Sequence, residues 1–119
     1  MIIMPKLQFI SIEQLLEMQA NNLQFKVIEV LGQDSFNQGH LPGAINLPVP
    51  KEMTSSELIK AAKAKGLKIT DTIVVYCASY GCHASTRATT FFLKAGFNKT
   101  VDFKAGKQGW VNAGLELER

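Results

Sequence analysis

The chain has 119 residues, 46% of them hydrophobic and 19% charged, with a formal net charge of +3. This is enough apolar material for one compact core without metals or multiple disulfides, so a single domain over residues 1–119 is expected. The charge is too small and too mixed in sign for a polybasic nucleic-acid surface or a disordered segment, and no apolar run is long enough to span a bilayer. No nucleic-acid partner and no membrane are expected.

Residues 1–6 carry neither the basic start, the apolar run nor the small-residue cleavage site of a secretory leader, so a cytoplasmic protein is expected if Met1 is the natural start. A helix is expected over residues 11–21, where Ser11 and Gln14 form a capping box and Ile12, Leu15, Leu16 and Ala20 recur at helical spacing. Residues 26–30 are short, β-branched and apolar, as in a buried strand, and Gly32 opens a polar turn. A Pro42-Gly43 turn leads into a brief extended piece that Pro48 and Pro50 end.

A second capping box, Thr54 to Glu57, opens a helix that Gly66 closes. Residues 72–76 form the clearest strand. Residues 85–95 read as a helix capped by Ser85, with Ala88, Phe91, Phe92 and Ala95 on one apolar face and Gly96 at its end. Val101 centres a last short strand, a final helix is expected over residues 106–113, and the tail beyond it is expected to fray. Strands alternating with helices imply a parallel sheet covered on both faces, with a ligand site beyond the carboxyl ends of the strands.

Cys77 falls at such an end. It is followed by the small-residue loop Ala78-Ser79-Tyr80-Gly81-Cys82-His83-Ala84 and then by Ser85 at the helix start. Loop N–H groups converging on one point, together with a helix N-terminus, would favour a nucleophilic thiolate; the competing reading is a buried, inert cysteine packed as a small apolar residue. The two cysteines are too close in sequence to staple distant parts of the chain, which points to chemistry rather than a disulfide framework.

The chain resembles the rhodanese family over nearly its whole length. One block runs from Val27-Ile28-Glu29-Val30 through Gly39-His40-Leu41-Pro42-Gly43-Ala44. The other comprises the Tyr76-Cys77 loop and helix, Lys94-Ala95-Gly96-Phe97, and Gly106 to Trp110 with Ala113-Gly114-Leu115. The resemblance implies a five-stranded parallel α/β domain flanked by helices on both faces. It also implies sulfurtransferase chemistry without a cofactor: Cys77 takes sulfane sulfur from a small donor, as a persulfide, and passes it to a thiol or cyanide, or to a protein acceptor. Ala78, Ser79 and Gly81 are small enough for the loop to close around the outer sulfur, and Tyr80 is read as projecting into solvent rather than lining an acceptor channel.

Three departures from the family pattern bear on the site. The arginine usual five residues after the cysteine is replaced by Cys82, which weakens the expectation of tight thiosulfate binding. Arg87 could substitute from the first helical turn, against an exposed place on the helix surface. Glu29 stands where relatives have Asp, and Leu31 replaces the arginine that commonly pairs with that acid, which removes one ion pair.

Cys82 has three readings: a resolving thiol for Cys77, a second sulfur carrier, or a bystander. It could also be the nucleophile itself, with Arg87 at Cys-x4-Arg spacing. His83 is read as an exposed loop histidine, against a role in holding a thiolate. His40 is assigned to fixing its turn, and Trp110 to the core.

No metal is expected, because Cys-x4-Cys-His is poor zinc spacing. A cysteine phosphatase or arsenate reductase would need Arg six residues after Cys77, where His83 stands. A docking, regulatory or redox-sensing module of the same fold is the non-enzymatic alternative.

Overall fold

The computed structural model describes residues 6–119. The expectation that residues 1–5 lack a leader therefore lies outside the described residues. Ser11 accepts from the Gln14 N–H and Gln14 reciprocates, opening α1 (Ile12–Ala20). The chain then enters β1 (Lys26–Glu29), α2 (Gln33–Gln38) and β2 (Ile45–Asn46). The Thr54–Glu57 capping box starts α3 (Ser55–Ala64), followed by β3 (Ile73–Tyr76), α4 (Ala84–Lys94), β4 (Thr100–Phe103) and α5 (Gly106–Asn112).

The sheet is parallel, in the order β2-β1-β3-β4, with Ile28 opposite Ile45 on one side and Val75 on the other, and Val75 opposite Asp102. Among the described residues four strands are formed rather than the five expected. The fifth position is reduced to one parallel bridge, Phe9 to Asp102, because Ser11 turns the chain into α1 two residues later. The order moves outward from β1 to β2 and then back across β1 to β3, so the crevice between the carboxyl ends of β1 and β3 is the point where the direction of winding switches.

Alternation along the strands divides the core between the two faces. Ile28, Val75 and Cys77 pack with Leu58, Ala62, Ala88 and Phe92 under α3 and α4. Val27, Val74 and Tyr76 pack with Leu15, Phe103 and Trp110 under α1 and α5.

Three sequence expectations are corrected. The polar stretch after Gly32 is the short helix α2, anchored by Lys107 Nζ donating to the Ser35 carbonyl at 2.8 Å. Helix α4 begins one residue earlier than expected, with His83 at the cap and no side-chain capping bond, which puts Ser85 inside the helix. The tail does not fray: His40 and Glu118 exchange backbone hydrogen bonds at 2.9 and 2.8 Å, and Trp110 Nε1 donates to the Glu116 carbonyl. His40 also stacks on Phe36 with ring centroids 3.9 Å apart, in keeping with its assignment to the turn.

Candidate functional site

Cys77 follows β3 directly and is fully buried. Its backbone is held from the last helix: the N–H groups of Lys107 and Gln108 donate to the carbonyls of Cys77 and Ala78 at 3.0 and 2.9 Å. Gly106 makes this approach possible. It sits at φ +63°, and a side chain there would overlap the Cys77 carbonyl oxygen and the Ala78 backbone.

The loop beyond Cys77 is a turn closed by the Cys82 N–H donating to the Ser79 carbonyl at 3.0 Å, with Tyr80 and Gly81 at its exposed tip. The turn absorbs the extra loop length and swings Cys82 back over Cys77. The two cysteines are disulfide-paired, with Cα atoms 6.4 Å apart, within the ordinary range for a disulfide.

The polar atoms nearest Cys77 Sγ are the Cys82 carbonyl oxygen at 3.5 Å and the Ser85 hydroxyl at 3.6 Å. No backbone N–H donates to Cys77 Sγ among the described residues, and the Cys82 N–H is used inside the turn. Ser85, expected as the helix cap, is fully buried and turns its hydroxyl to the sulfur.

Arg87 does not reach the sulfur. Its guanidinium donates to the carbonyls of Val49 and Pro50, so it is half-buried and ties α4 to the loop after β2, neither substituting for the missing loop arginine nor lying exposed. The cation over the loop is Lys104, whose Nζ donates to the Cys82 carbonyl at 2.7 Å and lies 3.5 Å from His83 Nδ1. Sequence reasoning missed Lys104, because nothing in the chain marks a lysine 22 residues after Cys82 as its neighbour. Ala84 begins α4 and His83 is exposed. Tyr80 is 70% exposed and, with Phe9, Ile10 and Lys104, lines a shallow depression of about 270 Å³.

Behind the site, Glu29 is completely buried and does have a cationic partner. Lys107 Nζ lies 3.3 Å from one of its oxygens, and the Tyr76 hydroxyl donates to the other at 2.6 Å. The expected loss of an ion pair at Leu31 is thus offset from α5. Tyr76 also accepts from the Leu41 N–H at 3.0 Å. Burial, reinforced by the bond to Glu29, pushes the Tyr76 phenol far above its ordinary range. Among the described residues, no three His, Cys, Asp or Glu side chains gather as a metal-ligand set, and no helix is long and apolar enough to cross a membrane.

Comparison with known proteins places this geometry in context. The family model for the rhodanese-like domain matches residues 11–113. The uncharacterized protein YibN of Escherichia coli (strain K12) is 32% identical over 93 residues, covering 78% of this chain and 60% of YibN. The match therefore spans less than two thirds of that relative's length. Thiosulfate sulfurtransferase 16, chloroplastic, of Arabidopsis thaliana is 32% identical over 94 residues, covering 76% of this chain and 77% of the plant protein. The solution structure of the rhodanese-like domain of the Anabaena sp. Alr3790 protein superposes with a TM-score of 0.74 at 23% identity, covering 95% of this chain and 79% of that one.

Proposed function

The chain belongs to the rhodanese-like domain family, and from that membership we propose that it is a sulfurtransferase carrying sulfane sulfur as a persulfide on Cys77. The observation that carries the reading is the position of Cys77 at the carboxyl end of β3, beside the winding switch, with the Ser85 hydroxyl turned to its sulfur. The reduced thiolate attacks the sulfane sulfur of a donor, the donor's leaving group departs, and the outer sulfur of the new persulfide passes to a thiol or cyanide. The Ser85 hydroxyl donates to the sulfur anion, and the α4 N-terminus adds favourable partial charge.

Donors of two kinds enter the proposal, thiosulfate and low-molecular-weight persulfides. Lys104 supplies positive charge at the loop where the family arginine is missing, but its Nζ is already engaged by the Cys82 carbonyl. A persulfide, which needs no clamp on sulfonate oxygens, is therefore the preferred donor. The sulfurtransferase name of the Arabidopsis relative supports the reaction class.

The test is intact-mass spectrometry of the reduced chain after incubation with thiosulfate or with glutathione persulfide. Wild type is expected to gain about 32 Da, removable by cyanide, and Cys77→Ser to gain none. An adduct that survives in Cys77→Ser would transfer the carrier role to Cys82.

A further inference from the structure

Resting on the reading of Cys77 as the sulfur carrier, we infer that Cys82 discharges a persulfide left without an acceptor, releasing hydrosulfide and closing the site as the Cys77–Cys82 disulfide. The pairing of the two cysteines is arranged by the fold. One short segment after β4 holds both backbones: the Lys107 N–H binds the Cys77 carbonyl at 3.0 Å and Lys104 Nζ binds the Cys82 carbonyl at 2.7 Å. The Ser79–Cys82 turn returns the second cysteine over the first. These contacts are made by the two backbone carbonyls and not by the sulfurs, and they accompany a Cα separation of 6.4 Å, within the range the bond needs.

Burial then divides the two sulfurs of a Cys77 persulfide between two attackers. The outer sulfur, one bond beyond Cys77 Sγ, is the atom that external thiols or cyanide take away as product. The inner sulfur is Cys77 Sγ, which belongs to a fully buried residue, so an external thiol cannot align behind it. Cys82, half-buried and already seated against Cys77, can.

In the discharge step the Cys82 sulfur attacks Cys77 Sγ. The Cys77–Cys82 bond forms, the bond to the outer sulfur breaks, and the Cys82 thiol proton moves to that sulfur, which leaves as HS⁻. The two cysteine sulfurs are together oxidised by two electrons, and the zero-valent sulfane sulfur is reduced to sulfide. An external thiol or dithiol reopens the site by attacking Cys82 Sγ, the more accessible sulfur, and the buried Cys77 departs as thiolate beside the Ser85 hydroxyl.

The experiment loads the reduced chain with glutathione persulfide, removes the donor anaerobically, and follows intact mass and free sulfide without acceptor. Wild type is expected to lose the adduct of about 32 Da, to finish about 2 Da below the reduced chain, and to release one hydrosulfide per chain. Cys82→Ser and Cys82→Ala are expected to hold the adduct at least about tenfold longer. Equal adduct lifetimes in wild type and the variants, or sulfide release without the 2 Da loss, would overturn the discharge step and leave the carrier reading standing. If the variants alone fail to load, Cys82 is the carrier and the inference is wrong. If no protein loads, the carrier reading and the discharge fall together.

Discussion

Tyr76 and Cys77 are consecutive in the chain and face opposite sides of the sheet. The Cys77 sulfur packs under α4 beside Ser85, whereas the Tyr76 hydroxyl sits under α5, donating to Glu29 at 2.6 Å and accepting from the Leu41 N–H at 3.0 Å. The strand that leads into Cys77 is therefore fixed from behind by a buried polar network that never touches sulfur.

Tyr76→Phe removes the phenol from that network and strands the Leu41 N–H and one Glu29 oxygen. A stability loss of about 1–3 kcal/mol is expected in urea denaturation. The pH dependence has a definite sign. The folded-state pKa of Tyr76 is raised above its unfolded value near 10, so the stability this group contributes is fully present below about pH 10. Above that pH the unfolded state binds fewer protons than the folded one, and stability falls by about 1.4 kcal/mol per unit until the raised folded-state value is passed. The stability gap between wild type and Tyr76→Phe should accordingly narrow in alkali; a constant gap would mean that the phenol ionises normally in the fold.

Gly106→Ala forces a methyl group into the Cys77 carbonyl and the Ala78 backbone from a left-handed conformation. Under the proposed function, sulfur transfer is expected to fall roughly ten- to a hundredfold, because the Cys77 backbone must shift, with a stability loss of about 1–3 kcal/mol. Gly32→Ala is the control: Gly32 has φ −64° and open space around it, so its stability should change by no more than about 0.5 kcal/mol. Full activity in Gly106→Ala would show that the α5 contact does not set the geometry at Cys77.

Ser85→Ala removes the only side-chain hydroxyl beside the Cys77 sulfur among the described residues. A hydrogen bond to a charged group is worth about 1.5–3 kcal/mol, so alkylation of Cys77 in the reduced protein at neutral pH should slow roughly tenfold or more. Peptide-resolved mass spectrometry separates this site from Cys82, whose rate should not follow. An unchanged rate at Cys77 would leave the hydroxyl with a packing role alone.

The parts of this molecule legible in the sequence were those written locally. Both capping boxes, the apolar strands and the strand–cysteine–loop–helix succession are encoded within a few residues, and each appears where it was expected. Helix α2 was not legible because Phe36 is its one large apolar residue, and it is anchored by Lys107, 72 residues further on. The same distance problem hid Lys107 as the partner of Glu29 and Lys104 as the cation on the Cys82 carbonyl. Ser85 misled for another reason: a serine at a helix start has the composition of a cap, but here the cap position falls two residues earlier at His83, and the hydroxyl serves the sulfur instead.

The grip of residues 107 and 108 on the Cys77 and Ala78 carbonyls also has a meaning for biosynthesis. A growing chain emerges from its N-terminus, so Cys77 leaves the ribosome well before the helix that fixes its backbone and before β4, which flanks β3 in the sheet. During that interval the thiol is neither shielded nor aimed. The burial of Cys77 is completed only when the segment after β4 docks, so premature termination anywhere before α5 leaves this cysteine uncovered.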